Sequence, residues 1–390
     1  MERKYLVTEY GVIPDHEELQ TEKIQSVLDL CKDAGGTVVI PRGTYRIAGL
    51  WLWSDTTLYL EAGATLVGSD DCNDYTVFPI PEGVEMQSDL ETIPEYFETY
   101  AWGEERRGAY RRAMISSYGQ KNIRILGESD STLNGSNCYD PDGEEGYMGP
   151  HIIFLSGCQN VELRGYTSLH SGNFHHEADN CDQVRIEGVI SRGGCDGFHI
   201  HGSRHVTIVN CDLQTGDDCV AGVNVWDLLV KNCRLNTSCS PFRIGGVDIR
   251  VEDCEIYGPG VYPWRKSVVL GKNKYLPREA GRHNTVNLIE FFASTVYPVP
   301  VPCHIRMRNC VIEGIDRLLF YRHGTYIQTG QNLTRWDLDN VVIRNIKNPS
   351  VTIADPEEPF YIHLHHVTVE NGEFKDLMDG SDPNTHILEN

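Results

Sequence analysis

The chain has 390 residues, a formal net charge of −22 at pH 7, 40% hydrophobic and 23% charged residues, and 37 glycines. A chain this acidic lacks the basic surface that nucleic acid or an anionic membrane requires, so neither is an expected partner. Its composition is that of a folded, turn-rich protein, and its length leaves a choice between two globular domains and one elongated repeat.

The N-terminal Met1-Glu2-Arg3-Lys4-Tyr5 runs into a charged segment without the apolar stretch of an export signal, and no later stretch approaches the length of a membrane span. Residues 1–36 are expected to form a strand and a capping helix. The helix is predicted over His16 to Ala34, because Ile24, Val27, Leu28 and Cys31 fall at i, i+3, i+4 and i+7 and Gly35-Gly36 stops it. Short β-branched runs follow between glycines and prolines: Thr37–Ile40, Tyr45–Ile47, Thr57–Leu60 and Ala64–Val67. From Asp71 to Ala113 the rhythm breaks in a stretch rich in aromatic and charged residues, among them Tyr96, Phe97, Tyr100, Trp102, Arg106 and Arg107. This reads as a loop excursion beside a groove, whose aromatic rings either line one end of that groove or pack the loop onto the body.

Beyond it the chain repeats. Val161-Glu162-Leu163, Val184-Arg185-Ile186, Val206-Thr207-Ile208, Leu228-Leu229-Val230 and Ile249-Arg250-Val251 start 23, 22, 22 and 21 residues apart. Cys211, Cys233 and Cys254 each lie five residues after a start, and Cys310 lies five after the later copy that begins at Ile305. A leucine-rich repeat would need its asparagine and leucine pattern and a helix per repeat, and both are missing. The expected fold is therefore all-β, a right-handed parallel β-helix forming a single domain over 1–390, with the helix covering the open first coil. The thirteen cysteines, odd in number and placed by the repeat rather than in CxxC or CxxH spacings, read as reduced core thiols of a cytoplasmic protein. No metal site and no cofactor is expected. Between Gly258 and Pro302 the register loosens.

Asp196 lies 12 residues after Val184 and Asp218 lies 12 after Val206, with Asp217 beside it. Aspartate in a turn is ordinarily a hydrogen-bond acceptor for the backbone. Two or three carboxylates stacked one coil apart repel one another, however, and such a cluster suits acid and base chemistry or a cation.

At these residues the sequence resembles glycoside hydrolase family 28, the polygalacturonases and their relatives. The opening is similar to that family's in Val7-Thr8-Glu9-Tyr10-Gly11, in Gly36-Thr37-Val38-Val39-Ile40-Pro41-Arg42-Gly43-Thr44-Tyr45 and in Leu58 to Leu66. Cys195-Asp196-Gly197 stands where the family has Asn-Thr-Asp-Gly, and Thr215-Gly216-Asp217-Asp218-Cys219 matches its Gly-Asp-Asp motif. The resemblance implies an inverting displacement in which Asp217 protonates the glycosidic oxygen while Asp196 and Asp218 hold and deprotonate water. The substrate it implies is a pectic oligosaccharide containing uronic acid.

Two family features are missing. Counting 12 from Leu228 puts Ser240 where the family has a histidine, and Arg-Ile-Lys has no clean copy, Arg265-Lys266 and Lys272 being the nearest candidates. Fifteen residues after their starts lie His176, His199, Ala221 and Arg243, which alternation places on one outward face as a groove wall. His176, His199, Arg243, Arg265 and Lys266 are thus the candidate substrate-binding residues, whereas His201 and His205 read as structural histidines. Two other functions compete with hydrolysis. One is a β-helical lyase, whose aspartates hold Ca²⁺ while Arg or Lys abstracts a proton. The other is a carbohydrate-binding solenoid without catalysis. Action from a chain end is expected, because the 71–113 excursion would wall off one end of the groove.

Overall fold

Each repeat of the sequence lays down three short strands separated by turns. The computed structural model describes residues 3–87, 110–269, 273–293, 298–325 and 330–389. One coil consists of Phe198–His201, Arg204–Val209 and Asp212–Thr215, and the next begins in the long bent strand Val220–Lys231. Equivalent strands of successive coils pair in parallel, which produces three ladders running the length of the molecule. Among the described residues the one antiparallel strand pairing is a small hairpin, Val268–Val269 with Lys274–Tyr275. The architecture is a right-handed parallel β-helix.

The repeat read from the sequence is the structural register. Val161, Val184, Val206, Leu228, Ile249, Ile305, Trp336 and Ile362 pair in succession from coil to coil. All eight are buried, and burying each aliphatic side chain contributes about 1.5–3 kcal/mol. Cys211, Cys233, Cys254 and Cys310 form a second interior column of free thiols. The Cys233 thiol donates weakly to the carbonyl of Ile208, 3.7 Å away on the preceding coil, and Cys254 does the same to Val230 at 3.8 Å. Cysteine suits this column because it is small, apolar and content with a weak partner.

The N-terminal helix is shorter than its apolar spacing predicts: it spans Thr21–Leu28 and continues as a 3₁₀ turn over Asp29–Cys31. The buried Gln20 side chain bonds both the N–H and the C=O of Ile13, which holds the preceding chain in a turn. Ile24, Val27, Leu28 and Cys31 are nevertheless the residues it buries, and they join the core of the first coils.

Of the 71–113 excursion, the described part packs along the outside of the solenoid. Gln87 N–H donates to Asp179 Oδ1 at 2.7 Å, and Asn180 Nδ2 donates to the carbonyl of Glu85 at 3.1 Å. A second apolar cluster, distinct from the interior, includes Trp51, Met86, Tyr110, Tyr147, Phe154 and Phe174. Tyr96, Phe97, Tyr100, Trp102, Arg106, Arg107 and Lys272 lie outside the described residues.

Candidate active site

The carboxylates sit in the turn that leads from Ile190–Arg192 to Phe198–His201 and in its copy one coil later. Thr215 Oγ1 and Thr237 Oγ1 both donate to the carbonyl of Asp217, which fixes the Gly-Asp-Asp turn. Gly216 is required by close approach: a Cβ there would stand 2.4 Å from the carbonyl oxygen of Gly194 and 2.6 Å from that of Pro263. Asp196 and Asp218 then stack as their register predicts. The Asp218 N–H donates to Asp196 Oδ1 at 3.1 Å, and the Ser240 N–H donates to Asp218 Oδ1 at 2.9 Å. Ser240 thus occupies the column position where the family pattern calls for histidine.

All three carboxylates are about 2% exposed. Their outer partners differ. His199 Nδ1 lies 2.5 Å from Asp196 Oδ2. Asp217 pairs with the Arg265 guanidinium, whose other arm reaches Glu145 Oε1 at 2.8 Å. Lys266 Nζ contacts the second Glu145 oxygen at 2.7 Å. The long turn after Glu255–Tyr257, where the repeat loosens, carries Arg265 and Lys266 here, with the Arg265 N–H bonded to the Gly216 carbonyl at 3.1 Å.

Burial and the Asp217 charge push the Asp196 carboxyl up to about 6, against the pull of His199 and Arg265. Burial, then the charges of Asp217 and Asp196, push Asp218 well above the usual carboxylate range, with Arg243 opposing. Like charges in a buried space cannot all ionise. The cluster therefore holds at least one proton beside at least one carboxylate near neutral pH, which is the equipment of an acid–base pair.

The structure sorts the candidate binding residues. His199, Arg265 and Lys266 belong to the site, as described. Arg243 is outward-facing, pairs in register with Ala221 and Glu290, and lays its guanidinium 3.9 Å from the Phe292 ring centroid. His176 does not share this face. The strand partner of His199 is Glu177, and His176 points inward, bonded to Tyr166 Oη at 3.0 Å and to the Gly197 carbonyl at 2.8 Å. The turn before His176 holds six residues (170–175), whereas its copy before Phe198 holds five (193–197). A shift of one residue reverses the face. His205 is exposed on Asp182, as a structural histidine would be, while His201 is buried 3.4 Å from Glu177. Glu145 and Glu177 carry no repeat or motif signal and escape sequence reasoning.

Three groupings among the described residues could hold a metal ion: Glu177 with His199 and His201, Asp339 with His365 and His366, and Asp217 with Asp218 and Cys239. The expectation of no metal site rested on spacing along the chain, whereas the members of the first grouping come from adjacent coils.

Comparison with known proteins follows the same lines. A relative from Dickeya chrysanthemi, an exo-poly-alpha-D-galacturonosidase, is 34% identical over 264 residues, covering 55% of this chain and 41% of that one. The chain spans less than half the length of the first curated relatives it matches, at 41%, 44% and 23%. The family 28 exopolygalacturonase of Yersinia enterocolitica superposes with a TM-score of 0.64 at 19% identity, covering 100% of this chain and 78% of that one. PfbA, a surface adhesin of Streptococcus pneumoniae, superposes almost as well, with a TM-score of 0.61 at 12% identity and coverage of 99% and 89%. The backbone therefore establishes the β-helix and leaves the chemistry to the site. The model of glycosyl hydrolases family 28 matches residues 84–247, the stretch that contains Asp196, Asp217 and Asp218.

Proposed function

We propose that the protein is an inverting glycoside hydrolase of the polygalacturonase type, trimming pectic oligosaccharides that contain uronic acid from one end. The observation that carries this reading is the buried trio of aspartates with Arg265 on Asp217 and His199 on Asp196. In the proposed reaction Asp217 protonates the leaving oxygen. Asp196 and Asp218 hold water on the opposite face and accept its proton, a division of labour that inversion requires. A sugar carboxylate that engages Arg265 takes the guanidinium from Asp217, so the proton held on Asp218 passes to Asp217, which becomes the acid, and leaves Asp196 and Asp218 ionised to accept the proton of water. Lys266 and Arg243 add positive charge to the same wall in an otherwise acidic protein.

End action is supported by the outer apolar cluster. Phe154, the register neighbour of Glu177 on the outward face, is buried among Tyr110, Tyr118 and Phe174. The groove floor is therefore covered one coil before Glu177 and two before His199. The Dickeya relative carries an exo-acting name, which agrees with this reading. A cytoplasmic location remains part of the proposal, supported by thirteen cysteines that are all free thiols. Time-resolved chromatography on a defined oligogalacturonide decamer tests the mode of action. One small product from the first turnover is expected, and a broad early spread of mid-length fragments would refute end action.

A further inference from the structure

The insertion between Glu255–Tyr257 and Asn287–Phe291 lies outside the repeat, yet it grips two equivalent residues of successive coils. Gly194 and Gly216 each stand two residues before an aspartate of the stacked column, Asp196 and Asp218. The Arg265 N–H donates to the Gly216 carbonyl at 3.1 Å, and the Gly194 N–H donates to Tyr275 Oη at 2.7 Å. The chain is shaped to admit that hydroxyl. Gly193 and Gly194 hold φ of 69° and 65°, and a Cβ on Gly193 would stand 2.2 Å from Tyr275 Oη. The rings of His170 and Tyr262 flank the Tyr275 ring, at centroid distances of 5.9 and 6.1 Å. On either side of Gly194 the turn is tied to the next coil, by the Gly193 N–H on the Gln214 carbonyl at 2.8 Å and the Gly197 N–H on the Asp218 carbonyl at 2.9 Å. The buried Gly194 N–H is met by the tyrosine instead.

We propose that Tyr275 is a positioning residue of the hydrolytic site, holding the Asp196 turn in place through Gly194 while Arg265 holds the Asp217 turn through Gly216. The inference rests on the hydrolytic reading given above. Like charges on Asp196 and Asp217 press the two turns apart, and a single insertion bonded to both opposes that movement. Asp196 has little freedom to spare. Its Oδ1 accepts the Asp218 N–H at 3.1 Å and its Oδ2 meets His199 Nδ1 at 2.5 Å, so a shift of its backbone disturbs both contacts. A water held between Asp196 and Asp218 would lose its line to the sugar, whereas substrate binding elsewhere in the groove would be unaffected.

Tyr275→Phe removes only the hydroxyl. On a pectic oligosaccharide it is expected to lower kcat by about 10–100-fold and to leave KM within about twofold of the wild type, with an unchanged circular dichroism spectrum. A second readout needs no substrate. The proton between His199 Nδ1 and Asp196 Oδ2 should give a far-downfield proton NMR signal, identified by its loss in His199→Gln, and Tyr275→Phe should shift or broaden it. Wild-type kcat in Tyr275→Phe, or an unmoved NMR signal, overturns the proposal. A raised KM at unchanged kcat overturns it too, since the hydroxyl would then serve substrate binding. If the wild type turns over no pectic oligosaccharide, the hydrolytic reading fails, and the NMR signal alone decides whether Tyr275 sets Asp196.

Discussion

Two turns of the same solenoid stack polar side chains and use them in opposite ways. On the exposed turn that follows the second strand of each coil, amides climb from coil to coil. Asn232 Nδ2 donates to Asn210 Oδ1 at 2.7 Å, Asn309 Nδ2 to Asp253 Oδ1 at 2.8 Å, and Asn340 Nδ2 to Asn309 Oδ1 at 2.9 Å. These residues hold positive φ between 52° and 58°, the left-handed region that asparagine and aspartate tolerate. On the buried turn Asp196 and Asp218 stack at the same spacing but cannot donate to each other, so the donors are backbone N–H groups of the next coil. The amide ladder satisfies itself. The carboxylate column leaves proton-hungry oxygens pressed together, which adds nothing to stability and is useful only for chemistry or a cation.

The largest expected effect lies at the carboxylate turn. Asp217→Asn should fold normally and lose about 10²–10⁴-fold in turnover of a pectic oligosaccharide, because an amide cannot deliver the proton; an unchanged rate would remove Asp217 from the mechanism. Asp196→Asn and Asp218→Asn should each be severely impaired, with the double variant close to the worse single one. Additive, mild losses in kcat would show that they do not share a water.

Asp218→Asn also tests the contrast in stability. The folded-state proton affinity of Asp218 is raised above its unfolded value, so the folded protein binds more protons and loses stability as pH climbs above the normal aspartate range near 3.9. The asparagine variant escapes that loss. Its Tm should exceed the wild type's by an amount that grows between pH 4 and pH 8, on the order of a few degrees. A Tm difference independent of pH would show that the buried charge is compensated.

A smaller effect is expected at Glu145, which braces Arg265 and Lys266 without lying in the aspartate turn. Glu145→Gln should lower kcat/KM about tenfold, in line with losing hydrogen bonds to charged groups. Wild-type kinetics would make the brace incidental. The smallest effect belongs to the amide ladder. Asn232→Ala should cost about 1–2 kcal/mol in urea unfolding, from one hydrogen bond and a left-handed backbone, and leave activity intact. A loss of activity there would erase the distinction between the two turns.

The sequence reveals whatever repeats. The interior valines, the cysteine column and the offset of 12 residues to Asp196 and Asp218 all recur because every coil must fill the same interior and close the same turns. Reading fails where a turn changes length. One extra residue in 170–175 sends His176 inward and brings Glu177 to His199. Arg265 could be named as a candidate but not placed, since the turn that carries it belongs to no coil. Glu145 and the pairing of Glu177 with His201 depend on contacts across 120 and 24 residues of sequence, and no local pattern encodes them.

The most direct test of the account is the configuration of the first product. Wild-type enzyme and a pectic oligosaccharide are mixed, and the anomeric protons are followed by NMR before mutarotation equilibrates them. Single displacement by water held at Asp196 and Asp218 predicts that the new reducing end appears first with inverted configuration. A product that first appears with retained configuration, or as an unsaturated ultraviolet-absorbing sugar, would contradict it.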